Sequence, residues 1–208
     1  MNTFVTGCNH FGHKGIISSC HRPFSDVDEM DAEMTLRWNE TVGPRDLVYM
    51  LGDFAWRDHE KYLKCLQGKK ILIEGNHDKM KAGIKARHFI EVHPGFLNRR
   101  FDNQHVTFCH YKMEAWYISH YGSYHFYAHS HGRRRELPDV KCCDVSADAW
   151  DFCPIPIEVL FYKMGQKVPR SYPPSGVVDA IVKENIKENR KMRVEYESLA
   201  ATGRRLMI

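Results

Sequence analysis

No run of this chain approaches the roughly 20 consecutive apolar residues that a bilayer crossing needs, which excludes a membrane-spanning helix. The first residues, Met1 to Thr6, enter a strand directly and lack the charged and apolar regions of a signal peptide, so the cytoplasm is the expected compartment. The seven cysteines are an odd number without repeated CxxC spacing, which argues against a disulfide framework and a structural zinc site. Cys65, Cys109 and Cys142 read instead as small buried hydrophobes. No internal repeat or low-complexity tract occurs. Charge of one sign is also scarce: the net charge is +4, much of it at Arg133-Arg134-Arg135 and in the last quarter, so the total does not argue for nucleic acid. What remains, 43% hydrophobic and 27% charged, is the composition of an ordinary globular protein. Residues 1–165 are expected to form one domain, followed by a Pro-containing linker and helix over 166–208.

Strand, turn and helix alternate through the first ninety or so residues. Phe4 to Thr6 is a short strand. A helix capped by Ser25 or Asp26 carries Met30, Met34, Trp38 and Val42 on one face and stops at Gly43-Pro44. Asp46 to Leu51 and Lys70 to Glu74 read as buried strands, with a helix over about 58–66 between them. From 88 to 146 consecutive strands follow: 88–92, 95–101, 104–110, 123–129 and 140–147. They suggest a second sheet of mostly antiparallel pairing. The expected fold is α/β: a four-layer αββα sandwich of two mixed β-sheets flanked by helices, plus a C-terminal helical tail. Beyond Pro169, Pro173 and Pro174, a helix over about 177–198 with a narrow apolar stripe reads as a solvated element or a homodimer contact.

What the chain has in quantity is histidine, thirteen in all, and several stand where strands end. Cys8-Asn9-His10 follows the first strand, Gly52-Asp53 the second and Gly75-Asn76-His77-Asp78 the third. Cys109-His110 and His129-Ser130-His131 close two later ones. Strand geometry places residues i and i+2 on one side, so each Cys/His or His/His pair can aim two ligands at one point. Singly, each is a turn or capping residue, and Gly75-Asn76 is itself a turn dipeptide. Together they supply imidazole, carboxylate and amide to one locus, the donor set of a binuclear metal site.

The order Cys8-x-His10, Gly52-Asp53, Gly75-Asn76-His77-Asp78, His110, His129-x-His131 resembles the calcineurin-like metallophosphoesterase superfamily. Its motifs read DxH, GD, GNH[D/E], H and GHxH. The resemblance covers roughly residues 1–162 and points to a small bacterial and phage subgroup. It implies that Asp53 bridges two divalent ions, with His10 and His131 on the first and Asn76, His110 and His129 on the second. Such donors suit Mn, Fe, Zn, Ni or Co better than Mg or Ca. It also implies that His77 contacts the phosphate and serves the leaving oxygen while Asp78 fixes its tautomer. Water activated between the cations would attack phosphorus in line.

Cys8 departs from the pattern, which has Asp there. Three readings follow: a thiolate ligand favouring Zn or Fe, a weakened first site, or a non-catalytic binding protein that keeps the fold. His13, Arg22 and Arg133 are candidate substrate contacts, Arg being shaped for bidentate phosphate binding. Asp144, Asp148 and Asp151 read as acceptors for turn amides. The expected partner is a phosphorylated small molecule, a nucleotide or a nucleic acid. A phosphodiester is favoured over a phosphomonoester, with no membrane role.

Overall fold

The computed structural model describes residues 1–168 and 180–191. The chain divides into two compact units, Met1–Pro169 and Arg170–Ile208. In the second, residues 180–191 are helical. The linker prolines, both ends of the expected 177–198 helix and the dimer contact assigned to it lie outside the described residues. No helix among the described residues is long and apolar enough to cross a membrane.

The first unit is an α/β sandwich of two sheets. Strands β1 (Thr3–Thr6), β2 (Leu47–Met50), β3 (Lys69–Ile73) and β4 (Glu91–His93) run parallel. The short β9 (Ile155–Pro156) adds antiparallel to β1, giving the order β4-β3-β2-β1-β9. The second sheet has the order β5-β6-β7-β8, from β5 (Phe96–Phe101), β6 (Gln104–Cys109), β7 (Tyr124–Tyr127) and β8 (Cys142–Asp144). Only β5 and β6 pair antiparallel; β6-β7 and β7-β8 are parallel, contrary to the mostly antiparallel expectation. The connections over 110–123 and 128–141 explain this, since each has the dozen or more residues that a parallel crossover needs. The strand expected at 88–92 is also displaced. Residues Ala82–His88 form helix α4, and β4 follows it on the first sheet.

Helices α1 (Lys14–Cys20), α2 (Val27–Thr41) and α3 (His59–Cys65) belong to the outer layer. Helix α2 starts where Asp26 accepts the Glu29 amide at 2.9 Å and Glu29 reaches back to the Ser25 amide at 2.7 Å, a reciprocal cap. Its buried Met30, Met34 and Trp38 join Phe4, Val48, Met50 and Leu72 in one apolar core. A second core lies between the sheets, where Val5, Tyr49, Ile71 and Ile73 meet Leu97, Val106, Phe108 and Phe126. Helix α5 (Ile157–Gly165) closes it with Ile157, Leu160 and Met164. Val106 and Phe108, two apart on β6, share the inner face, as the two-residue period requires.

Lys70 is buried at the start of β3, its ammonium donating to the Leu66 and Gly68 carbonyls, both at 2.8 Å. Burial pushes its pKa down to about 8. Below that pH the group is charged in both states and folding carries the desolvation cost. Between about 8 and the unfolded value near 10.4 the unfolded chain binds the extra proton, so stability rises with pH. Urea unfolding of wild type and Lys70→Met should therefore show their difference moving toward wild type by about 2–3 kcal/mol from pH 7 to pH 10.5. A pH-independent difference would refute the burial effect.

Candidate metal centre

Parallel order in both sheets brings the carboxyl ends of β1, β2, β3, β6, β7 and β8 to one rim, where open α/β sheets bind ligands. The sheets are joined there by a parallel bridge between Gly7 and Ser146. Close approach needs glycine: a Cβ on Gly75 would lie 2.4 Å from Asp53 Oδ1, and one on Gly52 2.4 Å from the Gly75 amide nitrogen. The ligand candidates themselves are not on strands. Cys8, His10, Asp53, His129 and His131 have φ of 51°, 54°, 53°, 64° and 50°. Left-handed turns, rather than the i, i+2 parity expected from the sequence, aim these side chains. Such conformations are uncommon away from glycine and concentrate at functional sites.

The turns bring the predicted ligands together. His110 Nδ1 lies 2.8 Å from the Leu51 carbonyl oxygen, so in the neutral ring it carries the hydrogen and Nε2 presents the lone pair. Around that Nε2 stand Asn76 Oδ1 at 3.1 Å, His129 Nδ1 at 3.2 Å and Asp53 Oδ2 at 3.4 Å. Tyr111 donates its hydroxyl to the same Asn76 oxygen at 3.1 Å. On the other side of Asp53, His10 Nε2 is 3.6 Å from Oδ2, and the His10 and His131 rings stack at 5.2 Å. Donor atoms of Cys8, His10 and His131 lie within 4.8 Å of one another, as do those of Cys8, Asp53 and His110. Cys8 therefore stands between the two loci, its Sγ accepting the His129 amide at 3.0 Å.

This donor set fits cations. A proton on His129 Nδ1 satisfies one of the facing lone pairs; a cation satisfies all of them. Both ring nitrogens of His10 are buried without a hydrogen-bond partner, and burial pushes its pKa down to about 3. It is thus the neutral imidazole that metals bind. Burial opposes charge on Asp53 and on His110 alike, yet their contact holds Asp53 at about 2 and lifts His110 above its ordinary value. Burial, with the Asp53 carboxylate beside it, raises the Cys8 thiol far above its usual range. Without a cation Cys8 is a neutral thiol; with one, a thiolate ligand is chemically available.

Several residues act on the candidate ligands from behind, and sequence reasoning missed the roles of two of them, Asp148 and Asp78. Asp148 was expected to serve turn amides. It accepts instead from His131 Nδ1 at 2.7 Å, the arrangement that fixes tautomer and ring orientation in metal-binding histidines. Asp144 does serve amides, taking those of Gly132 and Ser146 at 2.9 and 2.8 Å, with the Ser130 hydroxyl at 2.6 Å. Asp78 is corrected: its carboxylate accepts the amides of Asp53, Phe54 and Gly75 at 2.8, 3.0 and 2.8 Å and makes no bond to the His77 ring. It ties the β2 and β3 loops together.

Arg22 is corrected too, since it faces inward. It grips Asp148 in two bonds of 2.8 and 2.9 Å and donates to the Asn9 and Cys8 carbonyls, both at 2.8 Å. Its fifth N–H faces the Met30 and Met34 sulfurs at 3.5 and 3.7 Å, so no donor is left for a substrate. Arg133 reaches the Ser19 carbonyl and Cys20 Sγ on α1, and that sulfur lies within 4.8 Å of ligand atoms of His131 and Asp148, so Arg133 stands at the border of the first locus. The amide of His77 donates to Asp53 Oδ1 at 2.9 Å, and its half-buried ring lies 5.8 Å from His10 and 5.2 Å from Trp56. Trp56, 49% exposed, stacks at 4.2 Å on His13, so an aromatic platform that the motifs did not disclose borders the site.

No protein-family model matches the chain. An uncharacterized protein of Methanocaldococcus jannaschii, MJ1445, is 27% identical over 167 residues, 76% of this chain and 88% of its own length. The gene 66 protein of Mycobacterium phage L5 is 35% identical over 83 residues, 37% of this chain and 40% of its own length. Among solved structures, AQ665 of Aquifex aeolicus, a protein of unknown function, superposes with a TM-score of 0.65 at 21% identity, covering 78% of this chain and 98% of that one. An archaeal phosphodiesterase gives 0.42 at 17% identity over 72% of this chain and 87% of that one. The phosphoesterase Yfce of E. coli gives 0.35 at 16%, over 70% and 78%. The AQ665 likeness extends to the fold. The two weaker superpositions carry no further weight.

Proposed function

We propose that this chain is a metal-dependent phosphoesterase of the calcineurin-like superfamily, hydrolysing a phosphodiester of a nucleotide or small nucleic acid in the cytoplasm. Residues 1–165 carry the site. One observation supports this above all: lone pairs of His110, His129, Asn76 and Asp53 face one another within 3.4 Å of His110 Nε2. Two divalent transition ions (Mn, Fe, Zn, Ni or Co), when bound, supply charge to the phosphoryl oxygens and an activated water. Cys8, His10 and His131 would hold the first, Asn76, His110 and His129 would hold the second, and the Asp53 carboxylate would serve both. Asp148 orients His131, and Asp78 holds the loop that presents His77. The His77 imidazole contacts the phosphate and protonates the leaving oxygen.

The second readings are a phosphomonoesterase and a binding protein that keeps the fold; the departure at Cys8 favours the latter. Elemental analysis of reconstituted protein distinguishes enzyme from scaffold: near two transition metals per chain supports the former, none the latter. Bis-p-nitrophenyl phosphate against p-nitrophenyl phosphate then separates diesterase from monoesterase. His77→Ala is expected to lower kcat by about 10²–10⁴ while the metal content holds. Loss of metal in that variant would remove His77 from the acid role and make it a ligand.

A further inference from the structure

Beside His129 a cavity of about 280 Å³ opens between the loop after β6 and the loop after β7. Tyr111, Lys112, Glu114, Ser130 and Arg134 line it with Ala128 and His129. We infer that this cavity receives a ribose-phosphate arm of the substrate, so that the preferred diester is a nucleotide carrying a second phosphate. The inference rests on the phosphoesterase reading for where the scissile phosphate sits.

Size restricts the occupant first. Ligand pockets usually run to about 300–1,000 Å³, so this one takes a single substituent and not a peptide or a duplex. Charge restricts it further. Among the described residues Arg134, Glu114 and Lys112 have no side-chain hydrogen-bond or ion-pair partner; Lys112 lies over the Tyr127 ring at 5.7 Å and near His125 and Cys142. A carboxylate and two cations thus share one small cavity without pairing. A ligand offering hydroxyl donors and an anion together complements that arrangement: vicinal hydroxyls to Glu114, a phosphate to Arg134 and Lys112. Neighbouring Arg133 is held by α1, so the basic run divides between a structural and a free member.

Tyr111 connects the cavity to the metal ligands. It is 47% exposed, its ring packs at 4.8 Å on His129, and its hydroxyl holds Asn76 Oδ1. An arm lying against Tyr111 would therefore start from the second metal locus. The wall is held by Asn76 and His129, the residues that would bind the ion, which lowers the ordering cost on binding.

The test compares wild type, Arg134→Ala and Arg134→Lys, each loaded with Mn, on the 5′-phosphorylated dinucleotide pApA and on bis-p-nitrophenyl phosphate. The ratio of kcat/KM for pApA to that for the aryl diester is expected to fall about tenfold in Arg134→Ala, through KM, and to recover largely in Arg134→Lys. Calorimetric titration of metal-free protein with adenosine 3′,5′-bisphosphate should show the same tenfold weakening without any turnover. An unchanged ratio together with unchanged bisphosphate affinity overturns the inference. Equal loss on both substrates overturns it as well, because Arg134 would then act on the metal loci. If wild type cleaves neither ester yet bisphosphate binding depends on Arg134, the phosphoesterase reading fails and the pocket stands.

Discussion

Asp53→Asn is expected to take the reconstituted protein from two bound transition ions to fewer than one, and to lower turnover of bis-p-nitrophenyl phosphate by more than about 10⁴-fold. The carboxylate is buried, with Oδ2 3.4 Å from His110 Nε2 and 3.6 Å from His10 Nε2, so it is the atom shared by both loci. Two like cations a few ångströms apart repel strongly, and the shared negative charge is what offsets that repulsion. Asparagine keeps the shape, and its oxygen can still take the His77 amide. Its NH₂ group, however, would point donors at the imidazole lone pairs that otherwise await a cation. The metal-free variant loses the Asp53–His110 contact, so it should still fold but be somewhat less stable than wild type. The metal-dependent rise in Tm seen for a protein that binds ions only when folded should be lost. A variant that retained two ions, or the rise in Tm, would remove Asp53 from the bridging position.

The clustering of the candidate ligands was legible because order along the chain survives folding: each motif follows a strand, and parallel strands deliver their carboxyl ends to one rim. The strand parity used to aim Cys8 and His10 was the wrong device. The chain has already left β1 at Thr6, and left-handed turns do the aiming. Sequence patterns do not disclose such turns when they fall on Cys, His and Asp rather than glycine. Adjacency misled at His77-Asp78, where neighbours in sequence point to different partners. Distance concealed Asp148, since nothing local marks a carboxylate that meets His131 and Arg22 across separate loops. Arg22 itself was visible as a charge near the first motif. A sequence shows that an arginine is present but not which way it faces.

That orientation gives the second large expectation. Arg22→Met should destabilise the metal-free protein by about 3–5 kcal/mol, measured by denaturant unfolding, a large share of a domain's usual 5–15 kcal/mol. The Arg22 side chain is fully buried and Asp148 nearly so, and their two bonds are the guanidinium's fork on one carboxylate. Burial works against charge on Asp148, but His131 and Arg22 hold its pKa at about 2, so it stays ionised and must have a partner. Removing Arg22 leaves that charge inside with His131 alone, and also strips the donor from the Cys8 and Asn9 carbonyls. Arg22→Met with Asp148→Leu should regain part of the stability, because an apolar pair replaces a buried ionic one at little net cost. Metal binding should not recover with it. His131 would lack the carboxylate behind its ring, a loss that weakens metal sites by about 10–100-fold. If Arg22 instead contacted the substrate, Arg22→Met would leave unfolding within about 0.5 kcal/mol of wild type and raise KM. Stability and KM therefore move in opposite combinations under the two roles, and one purified variant decides between them.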